Sequence, residues 1–172
     1  MNRSHHYVFV PFCLLAQGVR AQNIVRKYQS TVRPVLNTLF NYNINIIQMT
    51  CPELLFDGFV RKPCQKPKYD TQENRKICSA ISVDIVKFIQ QIRYHNNDVD
   101  LILGIDFSPS CAVKYLTGRP PKRKIRGSGI YIEELKKIMA SKRIIIPIVG
   151  IEIYNIEKSL REIEGVLKGR KK

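Results

Sequence analysis

The stretch Tyr7-Val8-Phe9-Val10-Pro11-Phe12-Cys13 decides the fold. Four β-branched or aromatic residues in a row, closed by a proline, read as a short strand buried on both faces. Three more runs have the same character, Ile44–Met49, Val99–Ile105 and Ile144–Val149. Between and after them lie stretches whose apolar residues recur at three- and four-residue steps. Ile24–Asn41 carries Val32, Val35, Leu36, Leu39 and Phe40. Gln72–Asn96 carries Ile77, Ile81, Ile85, Phe88, Ile89 and Ile92, with Asp70 or Thr71 able to cap its start. Ile130–Ala140 and Asn155–Lys168, the second capped by Asn155, complete the set. Strands alternating with helices predict an α/β domain in three layers, a mostly parallel sheet covered on both faces. No repeat or long linker divides the 172 residues, so one domain over 1–172 is expected.

Two stretches stand apart. Pro52–Tyr69 holds Pro52, Pro63, Pro67 and Gly58 and reads as an ordered loop; Gly118–Gly129 holds Arg119, Lys122, Arg123, Lys124 and Arg126 and reads as a basic loop. Long loops inside a compact domain usually carry function. Composition is ordinary for a globular chain, with 44% hydrophobic and 25% charged residues. The 29 Lys and Arg against 14 Asp and Glu give a net charge of +15, which favours polyanionic partners or serves only as a solvated surface. No apolar run reaches the roughly 18–20 residues of a membrane helix. Tyr7–Ala16 follows Arg3 as a signal peptide's apolar region would, but Pro11 and its β-branched residues favour the strand. Five cysteines with no CxxC pair argue against a disulfide framework, and a cytoplasmic location is expected.

Three of the cysteines share a position. Cys13 lies just beyond the first strand, Cys51 just beyond the second and Cys111 a few residues beyond the third. In a parallel sheet all the carboxyl ends lie along one edge, where open α/β folds place their ligands. A lone cysteine there is commonly a small buried hydrophobe. Three at equivalent places favour a shared thiolate site for an iron–sulfur cluster or zinc. Cys64 and Cys78 fall outside the pattern and read as structural. Beside the three thiols, Cys51-Pro52-Glu53 sets a carboxylate and Ser108-Pro109-Ser110-Cys111 two hydroxyls, groups able to move protons or orient a substrate. HExxH, GxxxxGK[ST] and GxGxxG motifs are missing, and His5, His6 and His95 show no ligand spacing. Arg126-Gly127-Ser128-Gly129 is either an anion site at the start of the next helix or a flexible basic loop.

The chain resembles the thiouracil desulfidases, in particular a short branch of desulfidases related to them. The resemblance rests on Phe12-Cys13-Leu14-Leu15, on Thr50-Cys51-Pro52-Glu53 followed by Gly58, Arg61 and Pro63, and on Tyr69-Asp70. It continues through Gly104-Ile105-Asp106-Phe107-Ser108-Pro109-Ser110-Cys111 and Gly127-Ser128-Gly129-Ile130 to Glu133-Glu134-Leu135. It runs in order from about Tyr7 to Glu152 and implies a flavodoxin-like, Rossmann-like domain. It further implies a [4Fe-4S] cluster with three protein ligands, falling here on Cys13, Cys51 and Cys111, whose fourth iron is open to a substrate's sulfur. By the same resemblance Glu53 is the proton-transfer residue and Ser108 orients substrate or water. The implied function is non-redox removal of sulfur from a thiolated small molecule or nucleobase. Two other readings stand beside it. One is a desulfidase of thiolated tRNA, the RNA held by loop 119–126 and the tail Lys168–Lys172, with Tyr115 or Tyr131 stacking on a base. The other is a non-catalytic iron–sulfur or sulfide carrier, which needs neither Glu53 nor Ser108.

Overall fold

The computed structural model describes residues 3–118 and 123–169. The central sheet contains β1 (His6–Pro11), β2 (Asn45–Met49), β3 (Asp98–Ile105) and β6 (Ile148–Ile151), in the order β2-β1-β3-β6 with every pairing parallel. Between β1 and β2 run α1 (Phe12–Leu15) and α2 (Arg33–Asn41). Between β2 and β3 run α3 (Pro52–Asp57), α4 (Lys66–Tyr69) and α5 (Gln72–Tyr94). A hairpin of β4 (Tyr115–Gly118) and β5 (Arg123–Arg126) and then α6 (Ile130–Ser141) precede β6, and α7 (Ile156–Lys168) closes the chain. Helices α5 and α6 pack together, as do α2 and α7, so the sheet is the middle of three layers. No helix among the described residues is long and apolar enough to cross a membrane.

The physical basis is simple. Val8, Phe9 and Val10 on β1 and Leu101, Ile102 and Leu103 on β3 have no exposed surface, whichever face they point to. Burying each such side chain contributes about 1.5–3 kcal/mol, so the two central strands have no solvent-facing alternative. Phe88 of α5 meets the edge of Phe9 at 6.0 Å between centroids. Chain direction across the sheet reverses at β1: the chain goes to β2 on one side, then crosses to β3 on the other. The crevice at the carboxyl ends of β1 and β3 is therefore the topological switch point, where such sheets bind ligands.

Several expected boundaries move. Residues 24–32 are not helical; Val32 N–H donates to Leu14 O at 2.9 Å, tying the segment to the residues after β1, and the helix starts only at Arg33-Pro34. The expected strand Ile144–Val149 begins at Ile148, because Pro147 has no N–H to give the ladder, although its carbonyl accepts from Ile102 at 3.0 Å. The Pro52–Tyr69 loop contains two short helices, each with a proline in its first turn. Gly118–Gly129 is partly the β4–β5 hairpin rather than a loop throughout. Thr71, not Asp70, caps α5, accepting from Asn74 N at 3.2 Å. Asn155 precedes α7 without a side-chain cap.

Candidate functional site

The three expected cysteines each follow the carboxyl end of one of three neighbouring parallel strands. Cys13 sits in α1 directly after β1, and Cys51 is the residue from which α3 begins after β2. Cys111 lies in the turn after β3, held because Ile105 N–H donates to Cys111 O at 2.9 Å and Cys111 N–H donates to Ser108 Oγ at 3.0 Å. The thiols are buried or half-buried, and each is felt electrostatically by another. Burial pushes Cys13 up to about 12, with Arg20 pulling the other way and Cys51 and Glu53 adding to the rise. Burial also raises Cys51, followed by the Glu53 charge, and lifts Cys111 well above the ordinary thiol range, followed by Cys51 and Cys13. All three are thus protonated thiols at neutral pH in the free protein, and any metal they bind must displace those protons. Among the described residues, no three His, Cys, Asp or Glu side chains converge closely enough to hold one metal ion.

Glu53 and Ser108 meet. Glu53 stands in the first turn of α3, and Ser108 Oγ donates to its Oε1 at 3.0 Å. The same Oγ accepts from the amides of Ser110 and Cys111, at 3.2 and 3.0 Å. One hydroxyl therefore links the carboxylate to the turn that carries the third thiol. On the other carboxylate oxygen, Arg61 Nε lies 3.6 Å from Oε2. Arg61 is almost fully buried, its other nitrogens donating to Gly58 O at 2.9 Å and Val19 O at 2.6 Å. The Cys111 turn is anchored from below by Asp106, whose Oδ1 accepts from the amides of Val113 and Lys114 at 2.9 Å and Tyr115 at 3.3 Å. Phe107, between Asp106 and Ser108, takes a φ of 70°, a left-handed conformation uncommon for a bulky residue. Close packing holds the turn against α6. A Cβ on Gly129 would lie 2.3 Å from the Ser110 carbonyl, and Gly129 N–H donates to Ala112 O at 2.8 Å.

Among the described residues, four buried side-chain polar atoms have no hydrogen-bond partner: Arg61 Nε, Ser110 Oγ and the Tyr69 and Tyr131 hydroxyls. All four belong to this region. Arg61 faces Glu53; Ser110 adjoins Cys111; Tyr69 packs on Phe56 at 6.0 Å between ring centroids; Tyr131 is tied to the Cys111 turn, its backbone N–H donating to Ser110 O at 3.0 Å. Buried donors without a partner are rare in native proteins, and each calls for a water, an ion or a ligand group beside it. The donor set beside them is three soft thiols, the chemistry of an iron–sulfur centre.

Cys78, expected to be structural, is fully buried on α5 in a stripe with Asn74 and Ser82, while Ile77 and Ile81, expected to face inward, are half-buried. Cys64 is half-buried, its Sγ donating to Lys62 O at 3.3 Å. Tyr131 has no exposed surface, so it cannot stack on a base. Tyr115 stacks on Phe107 at 6.5 Å, with Lys124 Nζ 3.6 Å above its ring and also paired with Glu152 at 3.1 Å. Residues 119–122 of the basic loop and 170–172 of the tail lie outside the described residues.

No family model matches the chain. Over 146 residues, 85% of each chain, it is 28% identical to the uncharacterized protein MJ0003 of Methanocaldococcus jannaschii. Among solved structures it is similar to the [4Fe-4S]-dependent thiouracil desulfidase TudS, with a TM-score of 0.53 and 16% identity, over 97% of this chain and 99% of that one. The likeness in backbone shows that the chain shares the three-layer α/β fold of that desulfidase along nearly its whole length.

Proposed function

We propose that this protein is a cluster-dependent, non-redox desulfidase that removes sulfur from a thiolated small molecule or nucleobase. What supports the reading is that Cys13, Cys51 and Cys111 each follow one of three neighbouring parallel strands, and that the Glu53–Ser108 pair is bonded to the turn that carries Cys111. Cys13, Cys51 and Cys111 would hold a [4Fe-4S] cluster. Bound in this way, the cluster supplies one iron without a protein ligand, a soft Lewis acid matched to a thiocarbonyl sulfur.

The chain's own residues supply the proton handling. The net reaction is C=S + H₂O → C=O + H₂S, with no electrons gained or lost. Glu53 takes one proton from the attacking water as the C–O bond forms and returns it to the sulfur as the C–S bond breaks. The second proton leaves the oxygen as the carbonyl is restored and passes to the departing sulfur, completing H₂S. Ser108 holds Oε1 through its hydroxyl while its own lone pairs are occupied by two amides, so the carboxylate keeps one orientation. Arg61 fixes the other oxygen from the buried side. Glu53 and Ser108 set this reading apart from a sulfide carrier, which transfers no protons to carbon-bound groups. With thiouracil as probe, anaerobically reconstituted protein is expected to release sulfide and uracil in equal amounts. Cluster-loaded protein that releases no sulfide from thiouracil or from any other thiolated base or nucleoside would overturn the catalytic reading.

A further inference from the structure

We propose that Phe107 is the surface on which a planar substrate ring lies, so that the site takes heteroaromatic bases in preference to saturated rings. This rests on the desulfidase reading above and deepens it by naming the substrate class. It gives a role to a residue outside the three thiols and the Glu53–Ser108 pair.

The argument begins with place and exposure. Phe107 directly precedes Ser108, so its Cα lies one peptide, about 3.8 Å, from that of the residue whose hydroxyl bonds Glu53. From Leu101 to Val113 it is the most exposed residue, at 38%, while Asp106, Ser110, Cys111 and Ala112 are buried. The turn that carries Ser108 and Cys111 thus hides its polar anchors and presents one phenyl ring to solvent. The backbone there is unfavourable too: a φ of 70° is uncommon for a bulky side chain, and glycine or asparagine would take it more readily. A ring that is both exposed and set on a strained backbone gains the fold little, so its presence needs another reason.

The ring is also held in place. Phe107 N–H donates to Tyr115 O at 2.7 Å, and its carbonyl accepts from Thr117 Oγ1 at 3.3 Å, so both backbone groups are tied to β4. The Tyr115 ring lies nearly parallel to it, 19° between planes and 6.5 Å between centroids, and Lys124 Nζ of β5 stands 5.7 Å from its centroid. The hairpin therefore backs the phenyl group from one side and fixes its orientation. A fixed, exposed aromatic ring offers a π-face, and planar bases stack on such faces. A saturated ring is puckered and gains no such contact.

The test compares uracil with dihydrouracil, which has the same carbonyl and N–H groups on a puckered ring. Binding of each to the full, unloaded chain is measured by equilibrium dialysis, so that no iron takes part. The parent is expected to bind uracil about 10-fold more tightly than dihydrouracil, within the range of one base stacked on one aromatic side chain. Phe107→Leu is expected to lose that preference and Phe107→Tyr, which keeps a ring, to retain it. Where the leucine variant does not fold, Phe107→Asn, of a residue type tolerated at positive φ, makes the same comparison. A parent without the preference, or a leucine or asparagine variant that retains it, overturns this inference and leaves the desulfidase reading to the sulfide assay. A preference carried by Phe107 in a protein that releases no sulfide once loaded overturns the desulfidase reading and leaves the ring site standing.

Discussion

Glu53→Gln is expected to keep its cluster and lose sulfide release by about 10²–10⁴-fold, the range that one positioned general acid–base group contributes. The amide is close to isosteric. Its carbonyl oxygen still accepts from Ser108, and the α3 turn loses nothing that holds Cys51, whose carbonyl accepts from Leu55 N at 3.2 Å. The variant therefore separates proton transfer from assembly of the site. Iron content, colour and sulfide release measured on the same preparation decide it. Loaded Glu53→Gln with parental turnover would remove the carboxylate from the mechanism and return the site to the carrier reading.

Asp106→Ala has the largest expected effect on the folded protein without any metal. The carboxylate is buried and collects amides from Val113, Lys114 and Tyr115. Gly150 on β6 leaves room for it, since a Cβ there would stand 2.6 Å from the carboxyl group. Hydrogen bonds to a charged acceptor are each worth about 1.5–3 kcal/mol, and the stranded amides stay buried. A loss of about 3–5 kcal/mol is expected, which in a chain of this size lowers the thermal midpoint by roughly 10 °C. Because the same amides shape the turn after β3, cluster uptake should fall as well. A parental melting point would show that the turn is held by packing against Gly129 and α6 alone.

How much of this was legible in the residues follows from physical range. Val8-Phe9-Val10 and Leu101-Ile102-Leu103 announce central strands because burial on both faces leaves no polar alternation, and the cysteines beyond them then fall on one edge without further information. The helix expected from Ile24 failed because a nonlocal bond, Val32 N–H to Leu14 O, took the backbone elsewhere. Pro147 delayed the last strand by a rule visible in the sequence but outvoted by the apolar run around it. The residues that complete the site were harder to see. Arg61 and Tyr131 are far in sequence from the thiols, and only the folded chain shows that their donors are left open. On α5, Ile77 and Ile81 gave the stronger helical period, yet the stripe of Asn74, Cys78 and Ser82 is the buried one.

The central claim is that three thiols distant in sequence hold one iron–sulfur centre. Anaerobic reconstitution followed by iron and acid-labile sulfide analysis tests it most directly, on the parent and on Cys13→Ser, Cys51→Ser, Cys111→Ser and Cys64→Ser. The parent and Cys64→Ser should each hold about four irons and about four sulfides per chain, brown in colour, while each of the other three loses them. A colourless parent, or Cys13→Ser, Cys51→Ser and Cys111→Ser all as rich in iron as the parent, would contradict it.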